Sequence, residues 1–221
     1  MNTKICEYRV LIPVGSVELE GDLTIPAAAQ GIVLFAHGSG SSRHSPRNRY
    51  VAEVLQQEGL ATLLLDLLTA DEEEIDLRTR HLRFDISLLS ERLVSATDWL
   101  CRSPVTRQLN IGYFGASTGS AAALLAATKR PDVVKAIVSR GGRPDLIGPD
   151  LNQVQAATLL IVGGNDFPVI AMNEDAFSLL GHTLAKRLEI IPKATHLFGE
   201  VGALEQVAAL ASEWFKQYLM G

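Results

Sequence analysis

Gly115-Ala116-Ser117-Thr118-Gly119 is the stretch of this chain whose residue types and spacing point most directly to chemistry. It fits the pattern G-x-S-x-G. A short apolar run, Leu109 to Phe114, precedes it, and an alanine-rich run, Ser117 to Lys129, follows. A buried strand ending in such a turn, with a helix starting from it, would hold the serine hydroxyl exposed above a sheet edge. Glycine is expected at both ends because side chains there would collide with neighbouring backbone. The helix N-terminus would aim free N–H groups at negative charge developing beside the serine. The same five residues could serve as a plain small-residue turn with an N-capping hydroxyl. The strand and helix on either side favour a nucleophile.

A serine hydroxyl is a weak nucleophile until a base removes its proton. With this turn, the acid and the histidine follow the serine in chain order. His37, His44 and His81 precede Ser117, which sets them aside. His182 lies ahead of the apolar run Leu188 to Ile191, hence at the far end of a sheet. His196 lies just behind that run, in Ala194-Thr195-His196-Leu197-Phe198, and is expected at the carboxyl edge with Ser117. The acid should stand in a loop after a strand. Asp166 does so, behind Leu159-Leu160-Ile161-Val162-Gly163-Gly164-Asn165; Asp145, behind the strand Val133 to Val138, is its rival. Placement favours Asp166, whose role would be to fix the imidazole tautomer and stabilise the imidazolium. Asp150 and Asp175 read as helix-end or surface acids.

An acyl-transfer site also needs N–H donors for a tetrahedral oxyanion. One is expected from Thr118, the residue after the nucleophile. The other is expected from the loop His37-Gly38-Ser39-Gly40, with Ser39 as donor and Gly40 as the close alternative. Two basic clusters fall near the same edge: Arg43 to Arg49, and Arg140-Gly141-Gly142-Arg143. One reading pairs these arginines with the acidic stretch Asp71 to Asp76 or with solvent. The other has Arg47, Arg140 or Arg143 bind an anionic group of the substrate.

These side chains must be carried by a scaffold. Tyr8 to Val14 and Val17 to Ile25 read as antiparallel strands joined at Gly15-Ser16. Gly31 to Ala36, Leu60 to Leu65, Leu109 to Phe114, Val133 to Val138, Thr158 to Val162 and Leu188 to Ile191 are short apolar runs, as expected of buried parallel strands. Helical spacing is seen around Val51 to Leu55, over Phe84 to Leu100, over Ser117 to Lys129 and over Ala203 to Leu219. Asp66 to Arg80 reads as a polar loop or short lid. The alternation predicts an α/β domain spanning residues 1–221. Its sheet is mostly parallel with N-terminal antiparallel strands, helices cover both faces, and there is no large cap domain.

Composition narrows the function. Hydrophobic residues make up 47% of the 221, so a packed core is expected. A net charge of −5 argues against nucleic acid or an anionic membrane as partner. Cys6 and Cys101 stand in neither a CxxC nor a metal-ligand spacing, so reduced thiols are expected. The first ten residues lack the apolar core of a secretory signal, which points to the cytoplasm.

With Gly115 to Gly119, Asp166, His196 and His37-Gly38-Ser39-Gly40 in view, the chain resembles the dienelactone hydrolase family of the α/β-hydrolases over nearly its whole length. The run from His37 through Arg43 to Arg47-Asn48 is similar to a subgroup known only as hydrolases. The resemblance implies hydrolysis of a small ester or lactone, without a cofactor. Well-known members carry a cysteine where this chain has Ser117, so it implies general carboxylesterase-like chemistry rather than action on dienelactone. An acyltransferase or thioesterase would use the same site. A non-catalytic binding scaffold is the reading from another class.

Overall fold

The structure, a computed structural model, describes residues 5–221. Residues 1–4, the start of the segment read above for a secretion signal, lie outside the described residues. Strands β1 (Ile5–Val14), β2 (Val17–Pro26), β3 (Gly31–Ala36), β4 (Ala61–Leu65), β5 (Asn110–Ala116), β6 (Val134–Arg140), β7 (Ala157–Gly163) and β8 (Lys186–Ile191) form one sheet. Its order is β1-β2-β4-β3-β5-β6-β7-β8. β2 pairs antiparallel with both β1 and β4, and every other pairing is parallel. The helices are α1 (Pro46–Gln57), α2 (Ala70–Thr79), α3 (Ile86–Arg102), α4 (Thr118–Lys129), α5 (Phe167–Leu179) and α6 (Ala203–Leu219).

The apolar runs explain the layering. Side chains alternate between faces along a strand, so a strand buried on both faces must be apolar throughout. In β3, Ile32 and Leu34 pack with Leu89 and Leu93 of α3 and the alanines of α4. Val33 and Phe35 point the other way, onto Val51 and Leu55 of α1 and Phe215 of α6. All six residues of β3 are buried. The alanines of α4 let that helix lie close to the sheet.

The strand order places the site. From β3 the chain moves outward to β4, then returns to β5 on the other side of β3. Loops leaving the carboxyl ends of β3 and β5 therefore diverge, and a crevice opens between them. Ser117 follows β5 and the run from His37 to Gly40 follows β3.

Two sequence readings need correction. Ala70–Thr79 is a helix, not a loop. Thr69 Oγ1 accepts the Glu72 N–H, and Glu72 accepts the Thr69 N–H, forming a capping box. Asp71, Glu72 and Glu73 then complement the positive end of the helix. The helix has hardly any apolar face (Ile75 and Leu77 are exposed), so it left no periodic signal. α5 also went unread; it starts at Phe167-Pro168, immediately after Asp166.

Candidate active site

Ser117 sits at φ 51°, ψ −121°, a region that L-residues rarely occupy. The strain is imposed by the turn between β5 and α4. The Ser117 N–H donates to the Arg140 carbonyl at 3.2 Å, and the Arg143 N–H donates to the Ser117 carbonyl at 3.2 Å. The flanking glycines are required sterically. A Cβ on Gly115 would stand 2.4 Å from Ser120 Cα, and one on Gly119 would stand 2.3 Å from the Ala36 carbonyl oxygen. α4 can therefore pass against the end of β3 only with glycine at 119.

His196 and Asp166 are brought together by two loops tied to each other. After β7, the Gly164 N–H donates to Ile191 O and the Asn165 N–H to Ala194 O. Asn165 Nδ2 donates to Lys193 O at 2.9 Å. The His196 turn is braced by Glu200, which accepts from the Thr195 N–H at 3.1 Å and from its hydroxyl at 2.6 Å. Those bonds hold the Glu200 carboxyl below the usual carboxylate range. His196 Nδ1 lies 2.6 Å from Asp166 Oδ2. The carboxylate partner puts the proton on Nδ1 and leaves Nε2 as the free, basic nitrogen. The imidazole rests on Gly141, where an added Cβ would come 3.4 Å from His196 Nδ1.

Ser117 and His196 line one cavity of about 250 Å³ with Ser39, Arg47, Asn48 and Arg140. Of the arginines singled out by sequence, Arg47 and Arg140 thus reach the cavity. Arg143 does not line it. Arg143 holds Asp145 with two bonds, at 2.9 and 2.8 Å, which engages both the third arginine and the rival acid. Gly40 faces a neighbouring recess beside Arg83 rather than this cavity.

The expected pairing of the basic clusters with the acidic stretch is also corrected. Arg43 pairs with Asp66, Glu20 and Asp22, whereas Asp76 is held by Arg83 and Glu72 by Arg92. Burial alone would raise the Asp76 carboxyl, but the bonds from Arg83 and the Leu82 amide outweigh it and hold it low.

Thr118 opens α4, so its N–H has no partner within the helix. The Ser39 N–H is engaged, donating to Thr118 Oγ1 at 2.9 Å. His37 is buried in the same loop. Its Nε2 accepts the Leu67 N–H at 3.0 Å, which leaves Nδ1 to donate to Gly38 O. Sequence reasoning missed Asn48 as a cavity residue. Its signal was a polar side chain in helical register with Val51, Ala52 and Leu55, and all four are buried.

A mostly parallel sheet, a strained serine at a strand-to-helix turn and a histidine held by an acid define an α/β-hydrolase. No family model matches the chain. It is 69% identical to the dienelactone hydrolase from Anabaena variabilis ATCC 29413, whose crystal structure superposes with a TM-score of 0.95 over 97% of this chain and 99% of that one. The chain belongs to the dienelactone hydrolase family. Est1E from Butyrivibrio proteoclasticus, 16% identical, has a TM-score of 0.78 over 95% of this chain and 98% of its own, a likeness of fold. A Mycobacterium tuberculosis (strain H37Rv) protein named "Putative phosphoribosyl transferase" is 54% identical over 215 residues, covering 97% of this chain and 47% of that protein. The chain thus spans about half the length of the curated relatives it matches. Among the described residues, no helix is long and apolar enough to cross a membrane.

Proposed function

We propose that this hydrolase cleaves a small carboxylic ester or lactone through an acyl-enzyme on Ser117. The observation that carries the reading is the 2.6 Å contact between His196 Nδ1 and Asp166, with His196 sharing one cavity with the strained Ser117. His196 Nε2 takes the hydroxyl proton as Ser117 Oγ attacks the carbonyl carbon. The carbonyl π electrons move onto oxygen, and the Thr118 N–H receives the oxyanion. The Ser39 N–H becomes the second donor when the Thr118 hydroxyl turns away from it. Collapse of the intermediate expels the alkoxide, which takes the proton from His196. Water, deprotonated by His196, then attacks the acyl carbon; the bond to Ser117 Oγ breaks, the acid leaves, and Oγ takes the proton from His196.

The name of the mycobacterial relatives suggests phosphoribosyl transfer. We assign that activity to the half of those proteins that this chain does not match, because this chain, which corresponds to the other half, carries Ser117 and His196 on one cavity with Asp166 behind the histidine. The compartment we propose is the cytoplasm, in keeping with two free thiols, Cys6 and Cys101. A fluorophosphonate probe should label Ser117 in the native protein, and short-chain esters should turn over. Neither should occur in Ser117→Ala. Esterase activity retained by that variant refutes the assignment.

A further inference from the structure

The cavity beside Ser117 holds an imbalance of charge. Arg47 and Arg140 line it, and among the described residues no carboxylate does. Arg140 is 7% exposed, and its Nε is buried without a partner. Its Nη2 donates to Asn48 Oδ1 at 3.5 Å, at the outer limit of a hydrogen bond. The Phe198 ring lies 5.8 Å from its guanidinium carbon. Arg47 Nε is also buried without a partner. Arg43 and Arg92 also bury an unpartnered guanidinium nitrogen, but they and Arg83 each hold a carboxylate, and it is the missing carboxylate that sets Arg47 and Arg140 apart. Burial, joined by the like charge of Arg47, pushes Arg140 down to about 10. A buried guanidinium facing another positive charge is unfavourable in the free protein, and an anion bound in the cavity relieves it.

The charge count selects the anion. A carboxylate brings one negative charge and would leave one guanidinium unmatched. A phosphate monoester brings about −1.5 to −2 and three acceptor oxygens, enough for both. The first turn of α1, which carries Arg47 and Asn48, adds the positive end of a helix to the same wall.

We propose that the substrate carries a phosphate monoester, bound between Arg47 and Arg140 beside the nucleophile. This deepens the hydrolase reading above and rests on it for the reaction itself. The cavity of about 250 Å³ holds both the phosphate and the scissile carbonyl, so the substrate is a short phosphorylated ester or lactone.

The test is calorimetric titration of the whole chain with inorganic phosphate and glycerol phosphate, and with acetate and malonate as carboxylate probes. Both phosphates should bind, and more tightly than either carboxylate. Arg140→Gln and Arg47→Gln should each weaken phosphate binding by roughly tenfold or more, while the surface variant Arg78→Gln stays within about twofold. Arg140→Lys, which keeps the charge but loses the planar fork, should fall between wild type and Arg140→Gln and serves if the glutamine variant does not fold. Malonate binding as tightly as phosphate overturns the proposal. So does the absence of phosphate binding up to about 10 mM, or phosphate binding unchanged in Arg47→Gln and either Arg140 variant. Fluorophosphonate labelling of the same samples separates the two readings. Label without phosphate binding removes this proposal and keeps the hydrolase; phosphate binding without label keeps the anion site and removes the serine mechanism.

Discussion

Replacing Ser117 by glycine should stabilise the protein relative to Ser117→Ala while both variants lose activity. The backbone at this residue has φ 51° and ψ −121°, where a Cβ clashes with its own peptide units. A non-glycine residue in such a region costs about 1–3 kcal/mol. The alanine variant keeps the Cβ and hence the strain. The half-buried Ser117 hydroxyl is the only group it loses, so it should unfold within about 0.5 kcal/mol of wild type. The glycine variant removes the strain but gives the unfolded chain extra freedom, which returns about 0.4–1 kcal/mol. The net gain of glycine over alanine is about 1 kcal/mol, or roughly 2–4 °C in Tm for a chain of this length. Urea titrations of the two variants measure it directly, free of any effect of substrate. If Ser117→Gly unfolds at or below the midpoint of Ser117→Ala, the turn is not strained and the physical reason for a special serine there is gone.

Two further predictions concern the residues around Ser117. Asp166→Asn should lower kcat by about 10⁴-fold through the wrong imidazole tautomer. Asp145→Asn, which frees only Arg143, should change it by less than about threefold; steady-state kinetics on one ester decides, and comparable losses would reinstate Asp145. His37 supplies a pH dependence. Burial lowers its pKa, with the Gly38 carbonyl and the charges of Asp66 and Glu73 pulling the other way. The unfolded chain therefore takes up this proton near pH 6.5, before the folded chain does, and stability falls as the pH drops below that value. The gap in urea midpoint between wild type and His37→Gln should shrink from pH 7.5 to pH 5. A gap that stays constant would show that the imidazole does not stay neutral in the fold.

Much of the scaffold is legible in the sequence. The runs that became β3, β4, β5 and β7 are apolar without alternation because they are covered on both faces. Gly115 and Gly119 announced a turn too tight for a Cβ, and the close contacts found there are the reason. Chain order and position after a strand led to Asp166 and His196, which meet at 2.6 Å. α2 was misread because its stability comes from caps and charges, which leave no hydrophobic period.

The sequence by itself determined the strands and four of the helices, their order, and which loop carries the serine, the acid and the histidine, because these follow from local pattern and chain direction. Only the tertiary structure decided how the charges are shared out. It gave Asp66 to Arg43 and Asp145 to Arg143, engaged the Ser39 amide with Thr118, and, among the described residues, left Arg47 and Arg140 without a carboxylate in the cavity. Those pairings join residues that lie near or far along the chain alike. They depend on how loops from separate strand ends close over one another, and on which charge has lost its water when they do.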